Sequence, residues 1–574
     1  MQPELAVIVP SVGRARLGAT VESIDASARA GGVAVEILVA WQSQGAAPAL
    51  PATARVVGVL PIGVSYARNR PLGVITAPLV AFVDDDELVD RDWAGALVAA
   101  FTDNPGVGAV CGAIAALDDR GLAYCSFGGG EERRYSGAST PPWVIGGGGN
   151  MAVRRELLER LRGFDLLFGR GTVSLSAEDA ELISRILRAG EEVLWTPDAV
   201  VYHPTKNEQE RLESRLPYGY GMGKLVRRHR DLWGGAKYAG YAVQSFVSGT
   251  VQRSRRRRRE ALATLRAFVA GVGRRTQWVA PMELLSFLPD DLRADVDVSR
   301  VRPLPVQYRP NPHFVFVVDA DRVLHVYAAP SPELKTALAD REVIRKESQV
   351  DGIPRALSWS EGLDSLWLVE ERLRSGTDPG DFAVLRAALE WATAMAKPLG
   401  EPLGGQEWWS DFCSGIVEAS PPGVRDAAAA ACGRLRALRS AHAHGDYQRK
   451  NVILDGGRVQ VLDWELARSR DLPGADLLFY AVTAGGAPDP HTVVSLARGQ
   501  EPLDVQLRPL LAELGVDDEE ALRDLLLVLL VRWAANERRR LAQWGARPEA
   551  ARYAELLERC GPVVGAVPAA ASFS

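Results

Sequence analysis

Over the first 204 residues, short apolar runs alternate with helix-length segments. "LAVIV" (5–9), "VEILVA" (35–40), "ARVVGV" (54–59) and "PLVAFV" (78–83) read as strands. Strands alternating with helices predict an α/β layer around a mainly parallel sheet. Residues 205–280 read as basic helices interrupted by glycine. From about residue 300 the pattern restarts, with hairpin runs "HFVFVV" and "RVLHVYA", a helix "PELKTALADREVIRKES" and a strand "SLWLVEE". Long helical patterns fill 380–442 and 505–560, and an Ala/Pro-rich end (562–574) reads as a frayed tail. There is no internal repeat.

At 574 residues the chain is too long for one core, so two to four domains are expected. An apolar fraction of 47% with 24% charged residues is ordinary for a soluble globular protein. The net charge of −5 hides an asymmetry: Val201 to Arg275 holds seventeen Lys/Arg against five Asp/Glu. Such segregation marks a partner surface. "VQRSRRRRREALATLRAFVAGVGRR" alternates arginine with apolar residues, as in helices that lie on anionic membranes, although a solvated inter-domain helix fits equally well. A nucleic-acid partner fits less well, because no recognition module accompanies the charge.

Five scattered cysteines (Cys111, Cys125, Cys413, Cys432, Cys560) argue against a disulfide framework and a structural zinc site. The first strand begins within five residues, which leaves no room for a signal peptide, and "LLLVLLV" (525–531) is far too short to span a bilayer. The expected location is cytoplasmic, or peripheral on the inner face of the cell membrane.

The stretch "GVSYARNRPLGVITAPLVAFVDDDELVD" ends a strand in three carboxylates, Asp84, Asp85 and Asp86. Open α/β sheets bind ligands at the carboxyl ends of their strands. Carboxylates two apart point the same way, so Asp84 and Asp86 together suit a divalent ion facing a diphosphate; a solvated acidic turn is the plainer alternative.

The wider pattern resembles the family 2 glycosyltransferases with their GT-A nucleotide-sugar fold, across about residues 4–204. The resemblance rests on "VIVPSVGRARLGATVESI", on "VSYARN" followed by "AFVDDDE", on "GGGGNMAVRRELLERLRGFDLLFG" and on "AEDAELISRILRAGEEVLWTPDAVVYHP", in that order. It implies a metal-dependent (Mn2+ or Mg2+) inverting transfer from a nucleotide-sugar donor to a hydroxyl acceptor, such as a lipid-linked glycan or a small metabolite. Asp84 and Asp86 would form the metal and diphosphate motif, with Asp85 able to replace either. Asp179 would be the general base, or Glu178 if the register slips by one. Arg68 and Asn69 would position the diphosphate or the acidic loop, and Gly148, Gly149 and Asn150 would offer polar groups to donor or acceptor. His203 is either an extra metal ligand or a structural histidine. The family's base-reading carboxylate after the second strand is missing here. That strand ends "ILVAWQSQG", leaving Trp41 to stack on the base or Gln42 to read it.

The stretch "HGDYQRKN" sets Asp446 and Asn451 in one loop, and "VQVLDWE" puts Asp463 after the following strand pair. A carboxylate beside the attacking hydroxyl and ligands for magnesium are what phosphoryl transfer needs. Over roughly 300–560 this resembles the aminoglycoside phosphotransferase and choline kinase group of the protein-kinase-like fold. The resemblance implies Asp446 as base, Asn451 and Asp463 as Mg2+ ligands with ATP, and His444 as a brace. Glu342 matches the helix carboxylate of such folds. His325 stands where the ATP-gripping Lys belongs and is a poor substitute for a fixed cation, and no glycine-rich hairpin precedes it; Lys335 and Arg322 are the candidates to compensate. Both an active small-molecule kinase and a non-phosphorylating binding module are open, with the intact polar trio favouring activity. An assembly factor with two degenerate halves is the remaining alternative.

The expected fold class is therefore α/β: a GT-A (Rossmann-like, mainly parallel) domain at 1–215, a basic helical linker at 216–299, a kinase-like α+β domain at 300–562 and a tail at 563–574.

Overall fold

The computed structural model describes residues 2–118, 130–273, 278–306, 312–373, 381–455, 457–484, 488–500, 503–543 and 552–566. Cys125 and residues 567–574 of the expected tail lie outside these. The four described cysteines are free thiols.

Nine strands build the first sheet: β1 (Leu5–Ser11), β2 (Val35–Trp41), β3 (Ala54–Gly58), β4 (Leu79–Phe82), β5 (Leu88–Val89), β6 (Val107–Ala116), β7 (Arg133–Tyr135), β8 (Met151–Arg154) and β9 (Glu192–His203). Their order is β3-β2-β1-β4-β8-β6-β9-β5, with β7 also on β9. β1, β2, β3, β4, β6 and β9 run one way and β5, β7 and β8 run against them, which meets the expectation of a mainly parallel sheet. Alternate residues of β1 feed opposite layers, because strand side chains point to opposite faces. Leu5, Val7 and Val9 pack under helices α1 (Leu17–Gly31) and α3 (Trp93–Asp103). Ala6 and Ile8 pack with helices α4 (Arg155–Arg160) and α5 (Glu178–Arg188) through Leu157, Ile183 and Ile186. The carboxyl ends of β1, β2 and β4 open on a common crevice, and α2 (Val64–Asn69) crosses beside it.

Three helices follow: α6 (Glu208–His229), α7 (Leu232–Val251) and α8 (Arg255–Gly273). α6 begins at a capping box in which Asn207 and Glu210 exchange side-chain and backbone bonds. A boundary at 215/216 therefore falls inside a helix. α6 and α8 press backbone to backbone: a Cβ on Gly223 would lie 2.3 Å from the Phe268 carbonyl, and one on Gly271 would lie 2.2 Å from that of Tyr220. Buried Glu181 of α5 receives Arg185 and His229, whose bonds outweigh burial and hold its carboxyl down at about 2; this fastens α6 to the first sheet's helices.

The second sheet is antiparallel, in the order Arg302–Pro303, His313–Val317, Arg322–Ala328, Ser365–Glu371, Ala356–Gly362. Helix α9 (Pro332–Ser348) covers one face through buried Arg341, which bonds Glu370. The other face, with Phe314, Phe316, Leu324 and Trp367, shares one core with Leu284, Leu285 and Leu288 and with Leu60, Ile62, Tyr66 and Ala67 of the first half. Arg70 and Asp364 pair across the same junction. Beyond the sheet a helical lobe closes around Leu525–Val531, the apolar run noted above, every residue of which is buried. No helix among the described residues is long and apolar enough to cross a membrane. Helix Arg552–Val564 extends two residues into the expected tail.

The shared core yields a stability prediction. Trp367→Ala should cost about 3–5 kcal/mol. In urea unfolding followed by hydrogen exchange, amides of residues 60–67 should lose protection together with those of 365–371. Unchanged protection at 60–67 would mean that the halves are energetically separate.

Candidate active site

A cavity of about 840 Å3 opens at the carboxyl ends of β1, β2 and β4. Asp84, Asp85, Asp86, Glu178 and Asp179 all reach it, from two distant parts of the chain. The acidic run alternates: Asp84 and Asp86 are half-exposed, whereas Asp85 and Glu87 are buried. Asp85 accepts the Ser11 hydroxyl at 2.6 Å. Glu87 accepts the Asp84 N–H at 3.1 Å, and burial pushes its carboxyl well above the usual range. All four line the cavity, the two buried carboxylates also holding the turn through Ser11 and the Asp84 N–H.

Arg68 is the hinge of the site. It is 1% exposed, and its guanidinium spans Asp84 at 2.8 Å and Glu178 at 3.2 Å, stacked beneath by the Phe164 ring at 5.2 Å. Burial pushes the Glu178 carboxyl up to about 7, the neighbouring Asp179 adding to the effect. Asp179 is also raised by burial; its oxygens accept the N–H groups of Gly148 (3.1 Å) and Ala180 (2.7 Å), which fix its orientation. Ala177, at φ 70°, turns the chain so that both carboxylates open α5 at the cavity wall.

Several sequence expectations need correction. Asn150 is buried; its side chain accepts from the Trp93 indole and donates to the carbonyls of Ala113 and Ala199, leaving nothing for a ligand. Asn69 bonds both backbone groups of Phe164 and so locks that turn. Trp41 is buried, its indole N–H on the Gly45 carbonyl, and lies outside the cavity lining, whereas Gln42 lines it. Gly148 and Gly149 are cavity floor, and their missing side chains make room for Arg68 and Glu87 beneath. His203 lines the wall, where Nδ1–H donates to the Pro204 carbonyl and burial lowers its pKa. The residues not foreseen are Arg14, which pairs with Asp85 and Asp86, and Arg170, Lys206 and Tyr218, which come from loops and α6. A lone cation in a loop carries no pattern that would have flagged it.

Among the described residues no group of three His, Cys, Asp or Glu side chains is arranged to hold a metal. Asp84 and Asp86 nevertheless fit the way Mg2+ and Mn2+ are commonly held, by one or two carboxylates with substrate phosphates completing the shell.

In the second half, Asp446 accepts from Gln448 (2.6 Å) and Asn451 (3.2 Å), and His444 braces the loop by bonding the Leu462 carbonyl and the Asp446 N–H. Asp463 holds a left-handed backbone, φ 65°, at the hairpin exit. His325 does not pair with Glu342. Its Nε2 meets Glu370 at 3.0 Å and its Nδ1 meets His313, whose other nitrogen meets Glu465 at 2.9 Å. Glu342 turns to Arg345 and the Ala356 N–H. Lys335 and Arg322 pair with Glu361 and Asp319 at the surface.

Residues 3–216 match the family Glycosyltransferase like family 2, and this part of the chain is family 2-like. The glucosyl-dolichyl phosphate glucuronosyltransferase of Haloferax volcanii is 27% identical over 154 residues, which are 25% of this chain and 47% of that protein. The chain thus spans about half the length of this curated relative. Among solved structures, a mannosyltransferase from Pyrobaculum calidifontis in complex with GDP-Man and Mn2+ is 18% identical, with a TM-score of 0.34 over 48% of this chain and 88% of its own. A GDP complex of aminoglycoside 2'-phosphotransferase-IIIa is 14% identical, with a TM-score of 0.31 over 46% of this chain and 95% of its own.

The raised Glu178 carboxyl predicts a pH signature. Its folded value, about 7, lies above its ordinary 4.5, so its contribution to stability is full below about 4.5 and lost as pH rises through about 7. Glu178→Gln should remove this step, worth up to about 3 kcal/mol. Melting curves of the two proteins at about pH 5 and about pH 8 should converge at the lower pH and separate at the higher. Parallel curves would mean that Glu178 is ionised throughout.

Proposed function

We propose that the first half transfers a sugar from a nucleotide-sugar donor to a hydroxyl acceptor with inversion at the anomeric carbon. The observation that carries this is the placement of Asp179, oriented by two backbone N–H groups, in one cavity with Asp84 and Asp86. Burial raises Asp179 toward the working pH, which makes it a stronger base than an ordinary aspartate. It takes the acceptor proton as that oxygen attacks the anomeric carbon and the nucleoside diphosphate departs on the opposite side. Carboxylates outnumber Arg and Lys side chains in the cavity lining, so a bare diphosphate would be repelled. A divalent ion on Asp84 and Asp86 supplies the missing positive charge for the donor and the leaving group. Arg68 holds Asp84 and Glu178 in place from below, and Gln42 reads the base. The Haloferax relative's name specifies a dolichyl-phosphate-linked sugar, and we extend that acceptor class, a lipid-linked glycan, to this chain.

For the second half, the commitment of His325 to Glu370 favours a binding module over a working kinase. Glu370 is held down at about 2, with His325 and Arg341 outweighing its burial, so both side chains are committed to it rather than to ATP phosphates. Asp446, Asn451 and Asp463 keep the ability to bind a magnesium nucleotide.

Asp179→Asn should lower glycosyl transfer by at least about a thousandfold and leave metal-dependent donor binding unchanged. Turnover near the wild-type level would move the base elsewhere, first to Glu178. In the second half, calorimetry should find binding of ATP with Mg2+ that Asp463→Asn removes, with no phosphate transferred to sugars or amino alcohols. Rapid ATP turnover would restore the kinase reading.

A further inference from the structure

The sequence pointed to the arginine run as the amphipathic element, but in the structure the apolar face belongs to α7. Of its twenty residues, Leu232, Trp233, Ala236, Gly240, Tyr241, Val243, Val247 and Val251 are exposed, together with the polar Gln244 and Thr250. Leu232, Ala236, Gly240, Val243, Val247 and Val251 follow one another at spacings of three and four, which places them along one side of the helix. The exposure is large where it matters: 80% at Leu232, 67% at Trp233, 53% at Val247 and 77% at Val251. The opposite side, with Gly235, Tyr238, Ala242 and Gly249, is buried. Lys237 is the only ionisable side chain of this helix besides its tyrosines, and its ammonium reaches the Ser139 carbonyl and the Trp233 ring.

Both ends of this stripe are basic. Arg227, Arg228 and Arg230 precede it, Arg228 paired with Asp165 and Arg227 donating to the Val272 carbonyl, and the turn after it starts the run Arg253 and Arg255 to Arg259. Glu260 answers Arg211, Arg215 and Arg256, but among the described residues no carboxylate pairs with Arg253, Arg255, Arg257 or Arg259. A twenty-residue helix is about 30 Å long. An exposed apolar stripe of that length, capped at both ends by cations, matches a helix that lies in a bilayer interface without crossing it.

We propose that α7 is a docking element for an anionic lipid bilayer, its stripe sunk among the acyl chains and the flanking arginines on acidic headgroups. Charge selects this occupant over a second copy of the chain. Pairing two copies through the stripe, in either direction, would set one basic cluster against another, because both ends carry arginine. An anionic surface neutralises both ends at once. The placement also serves the cavity. α6, which packs against α8 together with α7 through Tyr238 and Phe268, contributes Ser214, Pro217 and Tyr218 to the cavity wall. The same three-helix unit therefore carries the docking stripe and one side of the cavity. The proposal itself rests on α7 and the flanking arginines, independently of the transferase reading.

The test is co-sedimentation of the full chain with phosphatidylcholine vesicles, with and without phosphatidylglycerol. The protein should sediment with the anionic vesicles and at least about tenfold less with the neutral ones, given roughly 1 kcal/mol per basic residue at such a surface. Trp233→Asp combined with Val247→Asp should lower binding to anionic vesicles by at least about tenfold at an unchanged melting temperature, since both side chains are exposed. Arg253→Glu combined with Arg257→Glu should abolish the preference for anionic lipid. Three results would overturn the proposal: no vesicle binding by the wild type, equal binding to both lipids, or a concentration-dependent dimer broken by Val247→Asp. Donor binding measured on the same variants should not move, which separates a failure of docking from a failure of the transferase.

Discussion

The first half depends on one buried cation. Arg68 lies below the cavity floor with carboxylates from two strangers in sequence, Asp84 and Glu178, on its guanidinium. A guanidinium so far from water persists only when paired, and each carboxylate beside it is in turn easier to bury. The ion triad therefore locks the exit of β4 to the start of α5, and with them the two acidic groups whose separation defines the cavity. Removing Arg68 would leave both carboxylates without their shared cation, so the geometry of the two acidic groups depends on that one side chain.

Arg68 is itself carried by α2, and α2 connects the two halves. Its buried Tyr66 and Ala67 belong to the core that also holds Phe314, Phe316 and Trp367 of the second sheet. The neighbouring 60–64 segment sits in that core through Leu60 and Ile62 while Pro61, Gly63 and Val64 face the cavity. A few residues thus touch the candidate active-site cavity on one side and the second sheet on the other. Physical coupling between the halves needs no moving parts beyond this element, because close-packed interiors transmit small displacements.

What the sequence made legible follows from how local each signal was. "VSYARN" names α2 residue for residue, and the strand runs of β1, β2 and β4 were readable because each is a continuous apolar block next to turn residues. The acidic run and "AED" were readable because carboxylates ending a strand or opening a helix stand out in one dimension. Roles that depend on partners far away in sequence were not. Asn150 looks like a ligand group until Trp93, Ala113 and Ala199 arrive around it, and Trp41 looks like a platform until its ring is buried outside the cavity lining. His325 shows the same limit: its place on the strand was readable, but its bond to Glu370 depends on the register of two strands more than forty residues apart.

That register also explains why the second half stays with the first. The face of the sheet holding His325, Tyr327 and Glu370 turns toward α9 and the Asp463 hairpin, so the alternate residues, Phe314, Phe316, Leu324, Val326 and Trp367, must turn the other way. Strand periodicity leaves no third choice. The apolar centre of that face would be a large exposed patch if uncovered, which soluble proteins avoid. Leu284, Leu285, Leu288 and the 60–67 segment cover it. The second sheet is therefore built with a face that segments of the first half cover, and the two halves share one core.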